Sequence, residues 1–199
     1  LITFLTIAPI DDRRKVNAIV ITLCASIGFY SVKGGIFTIS TAGAFRVWGP
    51  AGSFIEDNNA LAVAILMTVP LGIYLAGIAH DRRVKYLIFA GIGLSLLSAI
   101  GSQSRGAFLT VIAMAGFLAL KSRNKIAYGV MGVASLPLLF AFMPDSWHER
   151  MSTIRTYDED ASAMGRLNAW EYAYNIANAR LTGGGFDSWS PATFARYAP

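Results

Sequence analysis

The sequence predicts an all-α, polytopic transmembrane protein, and three observations support this fold class. Hydrophobic residues make up 54% of the chain and charged residues 15%, whereas soluble domains carry about 25% charged residues. The apolar residues are gathered into long runs that contain no charge, and short basic clusters separate these runs. This pattern is typical of helices that cross a bilayer and end at its polar surfaces.

Five charge-free runs predict at least five membrane spans. A hydrocarbon core about 30 Å thick requires roughly 20 helical residues, so several of the runs are near the lower limit. The predicted spans are 16–32, 60–79, 86–104, 106–120 and 126–143. Because the chain begins without methionine in an apolar stretch, "LITFLTIAPI", we expect further helices before it.

Basic clusters fall at every second connection between the predicted spans. They are "DDRRK" at 11–15, "HDRRVK" at 80–85 and "KSRNK" at 121–125. Positively charged connections remain in the cytoplasm, so the remaining connections are predicted to face outward. The clusters account for most of the net charge of +5, and we therefore predict no binding to nucleic acid.

The connection 33–59 is rich in glycine, serine and threonine and is predicted to be a loop, with a short strand-like or re-entrant stretch at Ile36 to Ser40. The run "EDNN" at 56–59 lies where the next helix should begin and is expected to cap it, with its acidic residues complementing the helix dipole. A second interpretation is that Asp57 or Glu56 orients a sugar hydroxyl. Arg46, in the same loop, is a candidate anion ligand.

The turn 101–106 carries a charge at the start of an apolar run, because Arg105 precedes the predicted span. Ser102 or Ser104 is predicted to cap that helix. Unpaired backbone N–H groups, the positive end of a helix dipole and a guanidinium would then form an anion site. The alternative is an interfacial arginine whose side chain extends to a lipid phosphate.

The segment 144–199 is predicted to be a long loop on the outward side of the membrane. It contains a predicted amphipathic helix at about 162–182, and this helix is expected to lie on the membrane face. Arg166 and Trp170 are four residues apart and therefore lie on one side of this helix. Both are candidate substrate-binding residues.

Other polar features are assigned no chemistry. The acidic run 158–160 lacks neighbouring metal ligands and is predicted to be a solvated turn. His148 has no partner nearby in the sequence and is predicted to be interfacial. No predicted span carries a charge at its centre, which argues against an ion-coupled transporter.

Three blocks of the sequence carry a resemblance to a known family. They are "GSFIEDNNALA", "SQSRGAFL" and "GRLNAWEYAYNIANARLTGGGF". In this order they resemble the O-antigen ligase and polymerase superfamily over residues 45–187. The similarity is greatest to O-glycosylation ligases that accompany exosortase systems.

The resemblance implies a GT-C-like membrane glycosyltransferase in the bacterial inner membrane. It would transfer a glycan from undecaprenyl-pyrophosphate to a lipid or protein acceptor at the periplasmic face, with no metal or other cofactor. Arg105 matches the "SRG" position and Arg166 the "GR...W" position, which implies that both bind pyrophosphate. Family members also carry a histidine in an "HN" motif after the glycine block. We expect that residue beyond Pro199, so no catalytic residue is assigned here.

The sequence is also compatible with two alternative functions. A polymerase of the same superfamily shares the donor and differs in its acceptor. A non-catalytic exporter of lipid-linked glycans needs a hydrophilic path through the bilayer, and the predicted spans offer none.

Overall fold

The computed structural model describes residues 10–121, 142–152, 161–186 and 188–198, and these residues form helices and no strand. The all-α prediction is confirmed for this part of the chain. The helices are α1 Arg13–Ser40, α2 Asn58–Ile78, α3 Arg82–Gly101, α4 Arg105–Lys121, α5 Asp145–Ser152, α6 Ala161–Ala179 and α7 Pro191–Tyr197.

Among the described residues, α1, α2 and α3 are long and apolar enough to cross a membrane. They contain 28, 21 and 20 residues. α4 covers the predicted span 106–120 but has only 17 residues, so its passage through the bilayer stays a prediction. The predicted span 126–143 lies outside the described residues, apart from its last two, as does the acidic run 158–160.

The expectation of a loop from residue 33, with a strand-like stretch at Ile36 to Ser40, is wrong, because α1 continues as far as Ser40. Packing against α3 overrides the local preference of the β-branched residues in this stretch. Lys33 therefore lies inside a predominantly apolar helix, seven residues before its end.

Small residues bring α1 and α3 into close contact. The hydroxyl groups of Ser31 and Ser95 share a hydrogen bond of 2.7 Å. A Cβ atom added to Gly101 would lie 2.0 Å from Thr38 Oγ1. Both pairs are about 64 positions apart in sequence, which means that the two helices run parallel and in register.

An apolar core lies beneath the point where α3 ends and α4 begins. It joins the start of α2, the last turn of α3, the start of α4 and the loop that follows α1. Its buried members are Val47, Leu61, Ala62, Ile65, Leu66, Ala99 and Ala107. The polar side chains of the turn between α3 and α4 pack on this apolar core, which restricts their movement.

Residues 151–199 form a second compact unit. Within it, Tyr172 of α6 is buried and packs against two aromatic side chains of the α7 region. The ring centroids lie 4.9 Å from Trp189 and 5.6 Å from Phe194. This aromatic cluster holds α7 against one face of α6.

Candidate functional site

Buried polar side chains are concentrated where α3 gives way to α4, and we call this region the polar junction. It comprises the loop 41–57, the first turn of α2, the turn 102–104 and the first turn of α4. Its buried polar residues are Asn58, Ser102, Gln103 and Ser104, each at most 5% exposed. Buried polar groups are costly unless they are hydrogen-bonded, so the bonds of each one define the site.

Ser104 caps α4, which decides between the two predicted caps. Its hydroxyl oxygen accepts a hydrogen bond from the backbone N–H of Ala107 at 3.3 Å. The Ser102 hydroxyl instead donates to the Ala99 carbonyl at 2.6 Å and accepts from the Ser104 N–H at 3.3 Å. Arg105 therefore occupies the first position of α4, as the sequence predicts.

The first turn of α2 is bonded directly to the turn that precedes α4. Asn58 Nδ2 donates to the Ser102 carbonyl at 2.8 Å, and the Ser104 hydroxyl donates to Asn59 Oδ1 at 2.7 Å. Since Ser104 also caps α4, its hydroxyl uses one donor and one acceptor at the same time. These bonds fix the starts of α2 and α4 relative to each other.

Asp57 is the N-cap of α2. Its Oδ1 atom accepts from the backbone N–H groups of Asn59 and Ala60 at 2.9 and 3.2 Å. The capping interpretation of Asp57 is therefore confirmed by the geometry. Its role towards a sugar hydroxyl stays a prediction.

Gln103 ties the loop after α1 to the turn. It has a φ of +54°, a left-handed conformation that is uncommon for residues other than glycine. Its Nε2 donates to the Gly43 carbonyl at 3.1 Å, and its Oε1 accepts from Arg46 Nε at 3.3 Å. Arg46 is thus held at residue 103, two positions before Arg105.

The bond to Gln103 leaves both terminal nitrogens of Arg46 available to a ligand. Arg46 is half-buried, and within the described residues it has no carboxylate partner. The nearby Glu56 carboxylate accepts from the backbone N–H of Gly52 at 2.7 Å. A held guanidinium, a second arginine and the N-terminus of α4 together favour binding of an anion.

Arg166 and Trp170 lie on α6, in the second compact unit, and both are exposed. Trp170 is 69% exposed, and Tyr174, one turn later, is 68% exposed. The structure therefore brings Arg46, Asp57 and Arg105 to the polar junction, whereas the approach of Arg166 and Trp170 to it stays a prediction.

His148 has a structural environment. Its Nε2 atom lies 3.1 Å from the Met143 carbonyl oxygen, and its ring lies edge-on to Trp147, which is fully buried. In the described segments, no three His, Cys, Asp or Glu residues are grouped so that they could hold a metal ion. The prediction that transfer needs no metal stays a prediction.

Sequence reasoning missed Gln103 and Asn58 as parts of the site. A signal for Gln103 exists in "GSQS" at 101–104, where four small or polar residues lie between two apolar runs. Capping needs only one of these side chains, so the excess of polar groups indicates bonds to another part of the chain.

The fold and the junction define a helical membrane protein with an arginine-rich polar site at helix ends. A family model described as O-antigen ligase matches residues 90–199, which is more than half of the chain. The protein therefore belongs to the O-antigen ligase family. No curated protein and no solved structure matches the chain.

Proposed function

We propose that the protein transfers a glycan from undecaprenyl-pyrophosphate to a lipid or protein acceptor, at the periplasmic face of the bacterial inner membrane. Membership of the O-antigen ligase family supports a glycan-transferring membrane enzyme of the ligase or polymerase type. The resemblance to ligases of exosortase systems favours the ligase over the polymerase.

The observation that carries the proposal is the bond between Arg46 and Gln103, two residues before the capped start of α4. Pyrophosphate gains negative charge as the glycosidic bond to it breaks. Guanidinium groups and helix N–H groups that are already in place stabilise this charge without reorganising. Arg105 and Arg46 are therefore proposed to hold the pyrophosphate from two sides.

Arg166 and Trp170 are proposed to act from the periplasmic loop. Arg166 would supply a further guanidinium to the same pyrophosphate, and Trp170 would seat the loop on the membrane or on the substrate. Their exposure on α6 is compatible with contact to a ligand or a lipid surface. Asp57 is proposed to accept a hydrogen bond from a sugar hydroxyl beside its cap.

Glycan transfer by the full-length protein in proteoliposomes tests the proposal. One lost charge-assisted hydrogen bond costs about 1.5–3 kcal/mol, so Arg105→Ala should slow transfer roughly 10- to 150-fold. Arg105→Lys should recover part of this loss, because it keeps the charge and loses the planar fork that binds two oxygens. Arg46→Ala should behave like Arg105→Ala.

The matched control is Arg13→Ala, which removes an exposed arginine at the first turn of α1. It should transfer glycan at the wild-type rate. If Arg105→Ala transfers as fast as this control, Arg105 is an interfacial arginine that contacts lipid and the proposed pyrophosphate site is wrong.

A further inference from the structure

Helices α1, α2 and α3 enclose an apolar groove with a volume of about 1020 Å³. The groove lies towards the end of these helices that carries the basic clusters, away from the start of α2 that forms the junction. Its limits along the three helices are Ile21 and Ile36 of α1, Thr68 and Ala79 of α2, and Val84 and Ser95 of α3.

Along α3 the groove is about as long as one leaflet of a bilayer is thick, and along α1 it extends further, over the 15 residues from Ile21 to Ile36 or about 22 Å. Val84 and Ser95 are 11 residues apart on α3, which is about 16 Å of helix. A hydrocarbon core is about 30 Å thick, so half of it is about 15 Å. An acyl chain that entered at Val84 would therefore reach about as far as Ser95.

Two cations lie in sequence close to the basic end of the groove, which we call its mouth, although they are not among its lining residues. Lys85 is adjacent to Val84, and Arg14 lies seven residues before Ile21, on the same face of α1 and about 10 Å further towards the basic end. Both side chains are exposed, and within the described residues neither has a carboxylate partner. This distance places Arg14 in the headgroup layer when Ile21 lies at the edge of the hydrocarbon.

The carboxylates at the basic end of the helices do not balance the positive charge near the mouth of the groove. Asp11 pairs with Lys15 at 2.6 Å, and Asp81 caps α3 by accepting from the Arg83 N–H at 2.7 Å. The sequence places six cations against three carboxylates in 11–15 and 80–85. Positive charge therefore remains for a ligand.

We propose that the groove is a binding site for an anionic phospholipid of the leaflet at the basic end. The acyl chains lie in the groove, and Arg14 and Lys85 bind the phosphate. Basic residues at the membrane surface beside a gap between helices favour anionic headgroups. Lys33 lines the far end of the groove, 12 residues or about 18 Å from Ile21, and does not reach the headgroup.

Two glycines of α3 provide a matched pair of variants. Gly91 lines the groove and Gly93 does not, and a Cβ atom added to either meets no atom of the described residues within 4 Å. Gly91→Leu should therefore place a side chain in the groove and narrow it, while Gly93→Leu adds the same side chain outside it.

The measurement is native mass spectrometry of the full-length protein released from nanodiscs of phosphatidylglycerol and phosphatidylcholine in equal amounts. The wild type and Gly93→Leu should retain one phosphatidylglycerol molecule that Gly91→Leu loses. Equal retention by Gly91→Leu and Gly93→Leu would overturn the proposal.

The variants Arg14→Gln and Lys85→Gln test whether these two cations bind the phosphate of the headgroup. Each removes one cation near the surface, so each should lower the preference for phosphatidylglycerol over phosphatidylcholine about fivefold. An unchanged preference in the double variant would contradict recognition of the phosphate.

A photo-crosslinking amino acid at Gly28, which also lines the groove, identifies the occupant in native membranes. A crosslink to phospholipid supports the proposal. A crosslink to another segment of this chain, to a second copy or to the polyprenyl donor would refute it.

Discussion

Replacement of Gly35 by alanine should separate α1 from α3. A Cβ atom at this position would lie 2.2 Å from the Leu94 carbonyl oxygen. Backbone atoms cannot rotate away as a flexible side chain does, so the helices must part by about 1.2 Å to restore an ordinary contact of about 3.4 Å. The same shift would lengthen the 2.7 Å bond between Ser31 and Ser95 to about 3.9 Å, which breaks it.

The expected loss of stability follows from three terms. Overpacking costs about 1–3 kcal/mol, and the broken hydrogen bond costs about 1 kcal/mol. Alanine is better than glycine in a helix by about 1 kcal/mol, which offsets part of this. Gly35→Ala should therefore lower the free energy of unfolding by about 1–3 kcal/mol.

Gly28→Ala is the control on the same helix, because a Cβ atom there lies more than 4 Å from every atom that the structure describes outside its own backbone surroundings. Only the helix-propensity gain remains, so this variant should be as stable as the wild type or more stable. The assay is equilibrium unfolding of both variants in the same detergent. Equal stability of Gly35→Ala and Gly28→Ala would refute the close approach of α1 and α3.

Three other predictions address the buried hydroxyl, the bridging glutamine and the topology. The Ser98 hydroxyl is buried and has no hydrogen-bond partner among the described residues, so Ser98→Ala should raise the free energy of unfolding by about 1 kcal/mol, and a loss of stability would show that the hydroxyl is bonded. Gln103→Leu should release Arg46 and slow glycan transfer about tenfold at unchanged protein abundance; a wild-type rate would show that this bond does not position Arg46. In a cysteine-free background, Ala51→Cys and His80→Cys should react with an impermeant thiol reagent from opposite sides of the membrane, and labelling of both from one side would contradict the assigned topology.

Local signals made the helix starts predictable from the sequence. Asp57 and Asp81 each precede an apolar run and cap the helix that follows, as caps of this type do through bonds to the next few residues. Arg105 was placed at the start of α4 by the same reasoning. Such signals involve residues close in sequence, so no knowledge of the tertiary structure is needed.

Non-local contacts explain what the sequence did not reveal. The helical continuation of α1 to Ser40 depends on packing against α3. The contact between Thr38 and Gly101 can be recognised only when the two helices are placed side by side. Likewise, Arg46 and Gln103 are 57 residues apart, and no local pattern joins them. The long apolar helices followed approximately from the sequence, while the full length of α1 and the geometry of the polar junction required the fold.

The polar junction connects this packing to the proposed chemistry. Gly101, the last residue of α3, lies against Thr38 and is followed directly by the turn that bonds Asn58 and Arg46. A network of buried, hydrogen-bonded polar side chains admits few alternative geometries. It therefore holds Arg46 close to the start of α4 although the two carry charge of the same sign. A bound pyrophosphate would offset the repulsion between Arg46 and the start of α4. This stabilisation would increase as negative charge develops on the pyrophosphate. The close packing of α1 and α3 would then stabilise the transition state of the proposed transfer as well as the fold.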